Sequence, residues 1–421
     1  MKTVESNDVM SEVVTGIVPE DATLVEAVDE SHAHWGAVFS LSLSVVGFIV
    51  AELLPVSLLT PIAADLGVTD GMAGQAITTT SLIALFSSLF TATVTHHFDR
   101  RSVVLFFAIV LVSSNLLVAF ATNYVMFLAG RVLLGVGLGG FWSMAAAIST
   151  RLVPASMVPQ ALSIIFGGVS FGMMAAGPVG SFLGGIVGWR GIFLGAAALA
   201  FGGFCWQYLV LPSIKPTGHA KLSTLLEILR RPHIGVGMVG MMLVFGGHFV
   251  FFTYVRPFLE LVTGVNGHGV SSMLLAFGIA NIIGTSLAGG LVRKSLRYSL
   301  GLTPLLMAIL ATALVSGGAS LVLTAVCVSG WGFAFGLIPV AWTTWGTRTV
   351  ADEIESMGGL QVAAIQAAIT AGAGFGGMLL DASGPHGAFI GSAIVLYLGA
   401  AIILFTLRAV PENGEAASHG H

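Results

Sequence analysis

Long apolar runs alternate with short polar segments along most of the chain. Twelve of the runs reach about 20 residues, which is the length that crosses about 30 Å of hydrocarbon as an α-helix. The pattern predicts an all-α polytopic membrane protein with twelve transmembrane helices. We expect these helices at 37–60, 73–95, 103–122, 126–148, 160–185, 192–211, 234–257, 270–292, 298–317, 321–346, 358–380 and 387–407.

The composition supports a membrane protein and argues against a soluble one. Of the 421 residues, 56% are hydrophobic and only 9% are charged, where soluble proteins carry about 25% charged residues. Fifty-five glycines suit helices that must approach closely in lipid. Cys205 and Cys327 both fall within apolar runs, so we expect them to pack in the bundle and not to form a disulfide or a zinc site.

A polar stretch at 212–233 separates two sets of six apolar runs. Residues 1–34 carry eight acidic residues against the single base Lys2 and no aromatic residue, a composition typical of disorder and unlike a cleaved signal peptide. The predicted organisation is a disordered acidic tail (1–35), a six-helix half (36–211), a central loop (212–233), a second six-helix half (234–407) and a second tail (408–421).

Basic residues are distributed unevenly between the two sides of the predicted bundle. With both termini placed in the cytoplasm, 13 of the 16 basic residues fall on the cytoplasmic side, and only Arg131, Arg190 and Arg256 lie at or near the outer side. This asymmetry follows the positive-inside rule. We therefore expect cytoplasmic termini and an even number of spans.

The two halves show signs of an internal repeat. An offset near 197 residues aligns the start of the second half with that of the first, and the basic turn FDRRSV (98–103) then has a counterpart in VRKSLR (292–297). Two six-helix halves joined by a cytoplasmic loop are typical of repeat-built transporters, whose site lies between the halves near the midplane.

Three glycine-rich strings resemble one transporter family. They are RVLLGVGLGG (131–140), GPVGSFLGG (177–185) and GWRGIF (188–193), and they are similar to signatures of the major facilitator superfamily, in its drug:proton antiporter group. The resemblance covers about 36–408. It identifies Arg131 as part of the signature and implies structural roles for Gly135, Gly139, Gly177 and Pro178, and close helix packing is the simplest role for the glycines.

Other strings resemble the bacterial purine ribonucleoside efflux permeases. They are ELLPVSLLTP (52–61), GGFWSMAA (139–146), FFTYVRPF (251–258), FGIANIIGTSLAG (277–289) and IPVAWTTWGTR (338–348). The resemblance implies proton-coupled antiport that exports nucleosides such as inosine and guanosine across the bacterial inner membrane by alternating access. Export of arabinose-like sugars or of drugs by the same mechanism is the alternative, and a passive channel is a more distant one.

Two positions depart from these patterns. The turn THHFDRRS (95–102) keeps the charges of Asp99, Arg100 and Arg101 but lacks the flanking glycines that usually accompany this conformational latch. His248 stands where the nucleoside permeases lead us to expect glutamine, which leaves the substrate range open.

Glu52 is the only charged residue between Trp35 and Ala64. Carboxylates within membrane spans are costly and usually functional. Pro55, three residues later, cannot donate to the carbonyl of Ala51, so we expect the helix to be loosened beside Glu52. Our hypothesis is that Glu52 pairs with Arg131 when ionised and releases it when protonated, and a permanent structural ion pair is the alternative. His248 is a second candidate for proton coupling.

Neutral and aromatic side chains near the middle of the spans suit an uncharged heterocyclic or hydroxyl-rich solute. The candidate substrate-binding residues are Trp142, His248, Phe252, Asn281, Gln361 and Trp342. Core packing is an open alternative for Trp142 and His248, and Trp342, with Trp345, could instead be an interface anchor.

Several other functions are not supported. The string GVSFG (168–172) fits a hydrolase nucleophile pattern but lies within a predicted span, so we expect no enzyme activity. The sequence has no Walker A loop, no histidine pair with companion metal ligands and no basic face for nucleic acid. The expected partners are a small neutral solute, protons and the lipid bilayer, with no cofactor or metal, for a protein that we expect to be monomeric.

Overall fold

The computed structural model describes residues 33–95, 97–149, 151–154, 157–215, 227–231, 233–350 and 354–406. The predicted tails 1–35 and 408–421 and the predicted central loop 212–233 therefore lie largely outside the described residues. The helices are α1 (Trp35–Leu66), α2 (Asp70–Val94), α3 (Arg100–Ala119), α4 (Tyr124–Ser149), α5 (Val158–Val210), α6 (Ile234–Thr253), α7 (Val255–Leu261), α8 (Gly267–Lys294), α9 (Leu296–Gly317), α10 (Leu321–Thr349) and α11 (Ile354–Thr406).

Two helices are each long enough to cross a bilayer twice. A straight helix of 53 residues, the length of α5 and α11, would extend about 80 Å at about 1.5 Å per residue, against about 30 Å of hydrocarbon. Both contain one glycine with a positive φ that breaks the helix, Gly188 at 72° and Gly384 at 68°. Few other residues adopt this conformation, so these glycines mark the turns.

Contacts on both sides of these glycines show that the chain doubles back. Gly168 in the first part of α5 lies against Ser42, and Gly203 in the second part lies against Leu43 and Ser44. In α11, Gly372 lies against the carbonyl of Gly246, while Ser392 donates to the carbonyl of Gly247. Among the described residues, ten helices are long and apolar enough to cross a membrane. With the two hairpins, they make the predicted twelve passes.

Sequence signals at the helix ends explain where several elements begin and break. Side chains of Thr69, Asp99 and Asn266 accept from backbone N–H groups in the first turns of α2, α3 and α8, which is the usual N-cap arrangement. The seventh predicted span is divided between α6 and α7 at Tyr254, because Pro257 cannot donate a helical hydrogen bond to the carbonyl of Thr253.

The internal repeat is visible in matched helix contacts. A Cβ on Gly139 in α4 would lie 2.2 Å from the carbonyl oxygen of Ala84 in α2, and one on Gly336 in α10 would lie 2.2 Å from that of Asn281 in α8. The two pairs are related by the offset of 197 residues. Close approach of backbones through glycine is the usual way in which helices pack in lipid, and here both halves use it at equivalent positions.

The two halves, α1–α5 and α6–α11, are joined at one end of the bundle. The end of the bundle where α1 starts, at Trp35, and α11 ends, at Thr406, is here called the terminal face. The end where the halves are joined is called the opposite face. The hydrogen bonds that connect the halves within the described residues involve Ser57, Thr60, Thr69, Gly71, Gln75 and Ser181 of the first half. All of these residues lie between the middle of the bundle and the opposite face.

Candidate functional site

Glu52 lies in the middle of α1 and is only 7% exposed. Its carboxyl oxygen Oε1 is buried and has no hydrogen-bond partner among the described residues. An ionised carboxylate without partners is expensive in a nonpolar environment. Glu52 is thus a buried carboxylate within a membrane span, a kind of residue that is usually functional.

Arg131 lies beside Glu52 and is 1% exposed. Its Nη1 donates to the carbonyl of Ala51 at 2.7 Å and its Nη2 to the carbonyl of Glu52 at 3.1 Å, while Nε donates to the carbonyl of Ala76 at 3.4 Å. The carbonyl of Ala51 is free for this contact because Pro55 has no N–H to donate. The proline thus creates an acceptor for the guanidinium inside the bundle.

The expected pairing of Glu52 with Arg131 takes a different form in this conformation. No ion pair within 4.0 Å joins the two side chains in the part of the chain that the structure describes. The guanidinium instead donates its hydrogen bonds to main-chain carbonyls of α1 and α2. The sequence predicted that the residues would be adjacent, but periodicity could not show that the backbone would compete for the arginine.

His248 lies in the core of the second half and is fully buried. Its Nδ1 accepts a hydrogen bond from the indole Nε1 of Trp331 at 3.0 Å. Its ring stacks on Phe335 at 3.5 Å between centroids and on Phe252 at 5.2 Å. An indole N–H only donates, so Nδ1 must be unprotonated and the neutral ring carries its proton on Nε2. Protonation of Nδ1 would break this contact.

Three predicted substrate-binding residues are used in packing within the second half. Asn281 donates to the carbonyl of Gly332, joining α8 to α10 at 3.3 Å, and Gln361 donates to the carbonyl of Trp342, joining α11 to α10 at 2.7 Å. The ring of Trp342 lies 5.3 Å from that of Trp345. These contacts agree better with a structural role than with direct binding of solute.

The remaining aromatic candidates lie in different halves. Phe252 packs with His248 in the second half. Trp142 is partly buried in α4 of the first half, with its ring 6.3 Å from that of Phe141. A solute that contacted both would therefore bridge the halves.

The predicted latch residues bind the turn before α3 to the segment after α5. Asp99 accepts from the backbone N–H groups of Arg101 at 2.8 Å and Ile214 at 3.1 Å, and from the hydroxyl of Ser213. Partial burial raises the pKa of Asp99, but the hydrogen bonds from Ser213, Ile214 and Arg101 outweigh it and hold the pKa below its ordinary value. Arg101 donates to the carbonyl of Tyr208 at 2.8 Å.

Arg100 uses its side chain locally. Its Nη1 donates to the hydroxyl of Thr95 at 3.1 Å, and its backbone N–H donates to the carbonyl of Ile214. Within the described residues, these partners of the three latch residues thus belong to the first half or to the segment that follows it. Their role as a latch between conformations stays a prediction.

The fifth-span motif lies at the seam between the halves. A Cβ on Gly177 would lie 3.2 Å from Leu274 of α8. Pro178 leaves the carbonyl of Met174 without a helical donor, and Gly278 of α8 packs against Met174. The motif lets α5 and α8 approach closely between the middle of the bundle and the opposite face.

Sequence reasoning missed several residues that connect the halves. Gln75 donates to the carbonyl of Gly374 at 3.4 Å, and Asp381 accepts from the hydroxyl of Thr69 at 2.8 Å. The sequence does show charged or polar residues near the ends of apolar runs. These residues could not be assigned to contacts between the halves without knowing which ends of the halves meet.

The sequence profile of the Major Facilitator Superfamily matches residues 39–369. The chain belongs to the Major Facilitator Superfamily. Solved structures of other transporters share the fold of this chain. A bacterial homologue of the human lysosomal transporter Spinster, in an inward-facing and occupied conformation, aligns with a TM-score of 0.74 at 15% identity over 87% of this chain and 95% of that one. A D-xylose-proton symporter aligns with a TM-score of 0.71 at 19% identity over 89% of this chain and 98% of that one.

Relatives in the superfamily with higher identity are efflux pumps. The purine ribonucleoside efflux pump NepI of Salmonella enteritidis PT4 is 42% identical over 378 residues, which cover 90% of this chain and 95% of that protein. NepI of Salmonella typhimurium shows the same identity and coverage. The chain is thus a multi-pass membrane transporter and not an enzyme, as the sequence predicted.

Proposed function

We propose that the protein exports purine ribonucleosides such as inosine and guanosine across a bacterial inner membrane in exchange for protons. The proposal is supported by the 42% identity to the NepI efflux pumps over most of both chains. The observation that carries the coupling is the buried Glu52 carboxyl. Its Oε1 has no hydrogen-bond partner within the described part of the chain, and it lies beside an arginine that is bound to backbone carbonyls.

The proposed orientation places the terminal face in the cytoplasm. Arg100, Arg101, Arg293, Lys294 and Arg297 lie at this face, in and beside the turns before α3 and α9. A basic cytoplasmic face follows the positive-inside rule. The halves are joined at the opposite face, so the described conformation is open toward the cytoplasm under this proposal.

Glu52 would carry the proton between the two conformations. In the inward-open state the protonated acid releases its proton to the cytoplasm, and the carboxylate then recruits donors of Arg131 from the carbonyls of Ala51 and Glu52. The solute binds in this state, the halves rock, and the solute leaves outside before Glu52 is protonated from the outer side. His248 is less suited to this task, because its Nδ1 is occupied by the indole donor of Trp331.

The proposed solute is neutral and has an aromatic face. Trp142 is partly buried in the first half and is the proposed aromatic surface on which a purine ring stacks. Phe252 of the second half is 6% exposed and packs on His248 and Phe277, so its proposed contact with the solute requires a change in this packing. Within the described residues, neither Glu52 nor Arg131 is exposed enough to form a charged binding surface, which fits an uncharged ligand better than a phosphate.

Transport in inverted membrane vesicles tests this function. We expect inosine and guanosine to accumulate under an imposed pH gradient and to cause proton movement in return, while arabinose and a hydrophobic drug do neither. Arabinose transport without inosine transport would replace the nucleoside proposal with sugar export. Solute flux that is independent of the pH gradient would instead indicate a passive pathway.

A further inference from the structure

A charged cluster connects α1 to α7 across the two halves at the opposite face. Arg256 in α7 is only 7% exposed, and its Nε donates to Oε1 of Glu260 at 2.8 Å. The other carboxylate oxygen of Glu260 accepts from the hydroxyl of Thr60 in α1 at 2.7 Å. Nη1 of Arg256 donates to the main-chain carbonyl of Ser57, also in α1.

The carbonyl of Ser57 is available because of a second proline in α1. Pro61 stands four residues after Ser57 and has no N–H to complete the helical hydrogen bond. Pro55 frees the carbonyl of Ala51 for Arg131 in the same way. The difference is that Arg131 binds α1 within its own half, whereas Arg256 reaches α1 from the other half.

The surrounding charges make Arg256 important for keeping the halves together. Asp70 of α2 interacts electrostatically with Glu260 and Asp381 of the second half and with Arg256. Arg256 is the cation that this interaction set contains. Without it, Asp70 of the first half and the carboxylates of Glu260 and Asp381 of the second half would interact without this cation, and like charges repel.

We propose that Arg256, bound to the Ser57 carbonyl that Pro61 leaves free, holds the opposite face closed, and that breaking this contact shifts the protein toward a conformation open at that face. The contact must break and re-form in each transport cycle, so Arg256 sets the balance between conformations and does not bind the solute. The inference rests on the proposed function only in assuming alternating access, because it concerns conformation and not solute or proton coupling.

Distances between spin labels on the two halves test this proposal. Val125 and Val322 are 76% and 74% exposed near the starts of α4 and α10, and they report on the opposite face. Val94 and Tyr298 are 67% and 60% exposed near the terminal face. Each pair is replaced by cysteine for labelling in a protein with Cys205→Ala and Cys327→Ala, and the distance distributions are measured by pulsed electron paramagnetic resonance.

We expect Arg256→Gln to add a longer component to the opposite-face distances and a shorter component to the terminal-face distances. Pro61→Ala should cause the same shift in weaker form, because alanine at this position supplies an N–H that competes with Arg256 for the Ser57 carbonyl. In the double variant, Pro61→Ala should add little to Arg256→Gln, since both changes act on one contact.

Arg190→Gln is the matched control. Arg190 also lies toward the opposite face, but it binds Asp65 and the carbonyl of Ala121 within the first half, so its loss should leave both distance distributions unchanged. Unchanged distributions in folded Arg256→Gln and Pro61→Ala would overturn the proposal. If Arg256→Gln does not fold, Pro61→Ala alone decides the question. Neither result depends on which solute is transported.

Discussion

Proline determines the chemistry of α1 by removing hydrogen-bond donors at two points. The carbonyl of Ala51 lacks the N–H that an ordinary residue at position 55 would donate, and the carbonyl of Ser57 lacks the N–H that one at position 61 would donate. An arginine takes each of them, Arg131 from the same half and Arg256 from the other half. Buried carbonyls rarely stay unpaired, so the sequence of α1 prescribes where guanidinium groups can bind.

Replacing Glu52 by glutamine should uncouple transport from protons. The amide has nearly the same size as the acid but cannot exchange a proton, so accumulation of inosine driven by a pH gradient should fall to the background of empty vesicles. Exchange of labelled for unlabelled inosine, which needs no net proton movement, should persist. Both rates are measured in the same inverted vesicles.

Asp65→Asn provides the control for Glu52→Gln. Asp65 lies near the end of the same helix, is exposed and pairs with Arg190, so its loss should leave proton-driven accumulation close to native. Normal coupling in Glu52→Gln would show that Glu52 is only structural.

Replacing His248 by glutamine should preserve proton coupling. The amide oxygen of glutamine can accept from the indole of Trp331, as Nδ1 of His248 does, and glutamine does not titrate. We therefore expect a native pH dependence of inosine accumulation, with any change confined to the apparent affinity or to the amount of folded protein. Loss of coupling with substrate exchange intact would instead assign the proton to His248.

At the scale of helices, the apolar pattern was sufficient for the twelve passes because lipid leaves the backbone few alternatives to helix. The pattern also predicted a turn near Gly188, between the spans 160–185 and 192–211. In the structure, the helix extends almost to that glycine from both sides. The repeat offset near 197 also appeared in the sequence, and the glycine contacts of Gly139 and Gly336 follow it.

Contacts between particular side chains were harder to predict from the pattern. Helical periodicity shows which residues share a face, but not whether a neighbouring helix offers an acceptor at hydrogen-bond distance. Asn281 and Gln361 were therefore expected in the binding site, whereas their amides bridge to backbone carbonyls of α10. The indole donor that fixes His248 comes from a residue 83 positions away, for which the sequence carried no signal.

The matched glycine contacts predict equal sensitivity of the two halves to added volume. Gly139→Ala and Gly336→Ala would each place a methyl group 2.2 Å from a backbone carbonyl of the facing helix, so that helix must move. We expect each change to lower the free energy of unfolding by about 1–3 kcal/mol, the usual range for overpacking. Thermal denaturation of purified protein in detergent measures the effect.

Gly195→Ala serves as the control for these glycine substitutions. Apart from the neighbouring backbone of its own helix, a Cβ there meets no atom within 4 Å, and alanine favours the helix, so stability should stay equal or increase. A Gly139→Ala protein as stable as native would contradict the close packing of α2 and α4.

At the scale of the whole molecule, hydrogen bonds between described residues join the halves at three seams, formed by α1 with α7, α2 with α11, and α5 with α8. Each seam uses a hydrogen bond to a main-chain group, and such contacts can form and break without changing side-chain chemistry. This arrangement suits two rigid halves that rock against each other. It also predicts that a covalent link across one seam should stop transport.

Thr69 and Asp381 offer a place to fix the α2–α11 seam. Their side-chain oxygens lie 2.8 Å apart, so cysteines at both positions, in a protein without Cys205 and Cys327, should be joined by oxidation or by a short bifunctional reagent. We expect inosine transport to fall to background in the cross-linked protein and to return on reduction, because the opposite face can no longer open. The control joins cysteines at Asp65 and Arg190, whose side chains pair within one half. Arginine is a long side chain, so this link needs a bifunctional reagent long enough to replace its reach, and it should leave transport intact. Continued transport by the fully cross-linked Thr69–Asp381 protein would mean that the halves need not separate at this face, and the rocking mechanism would have to be abandoned for this chain.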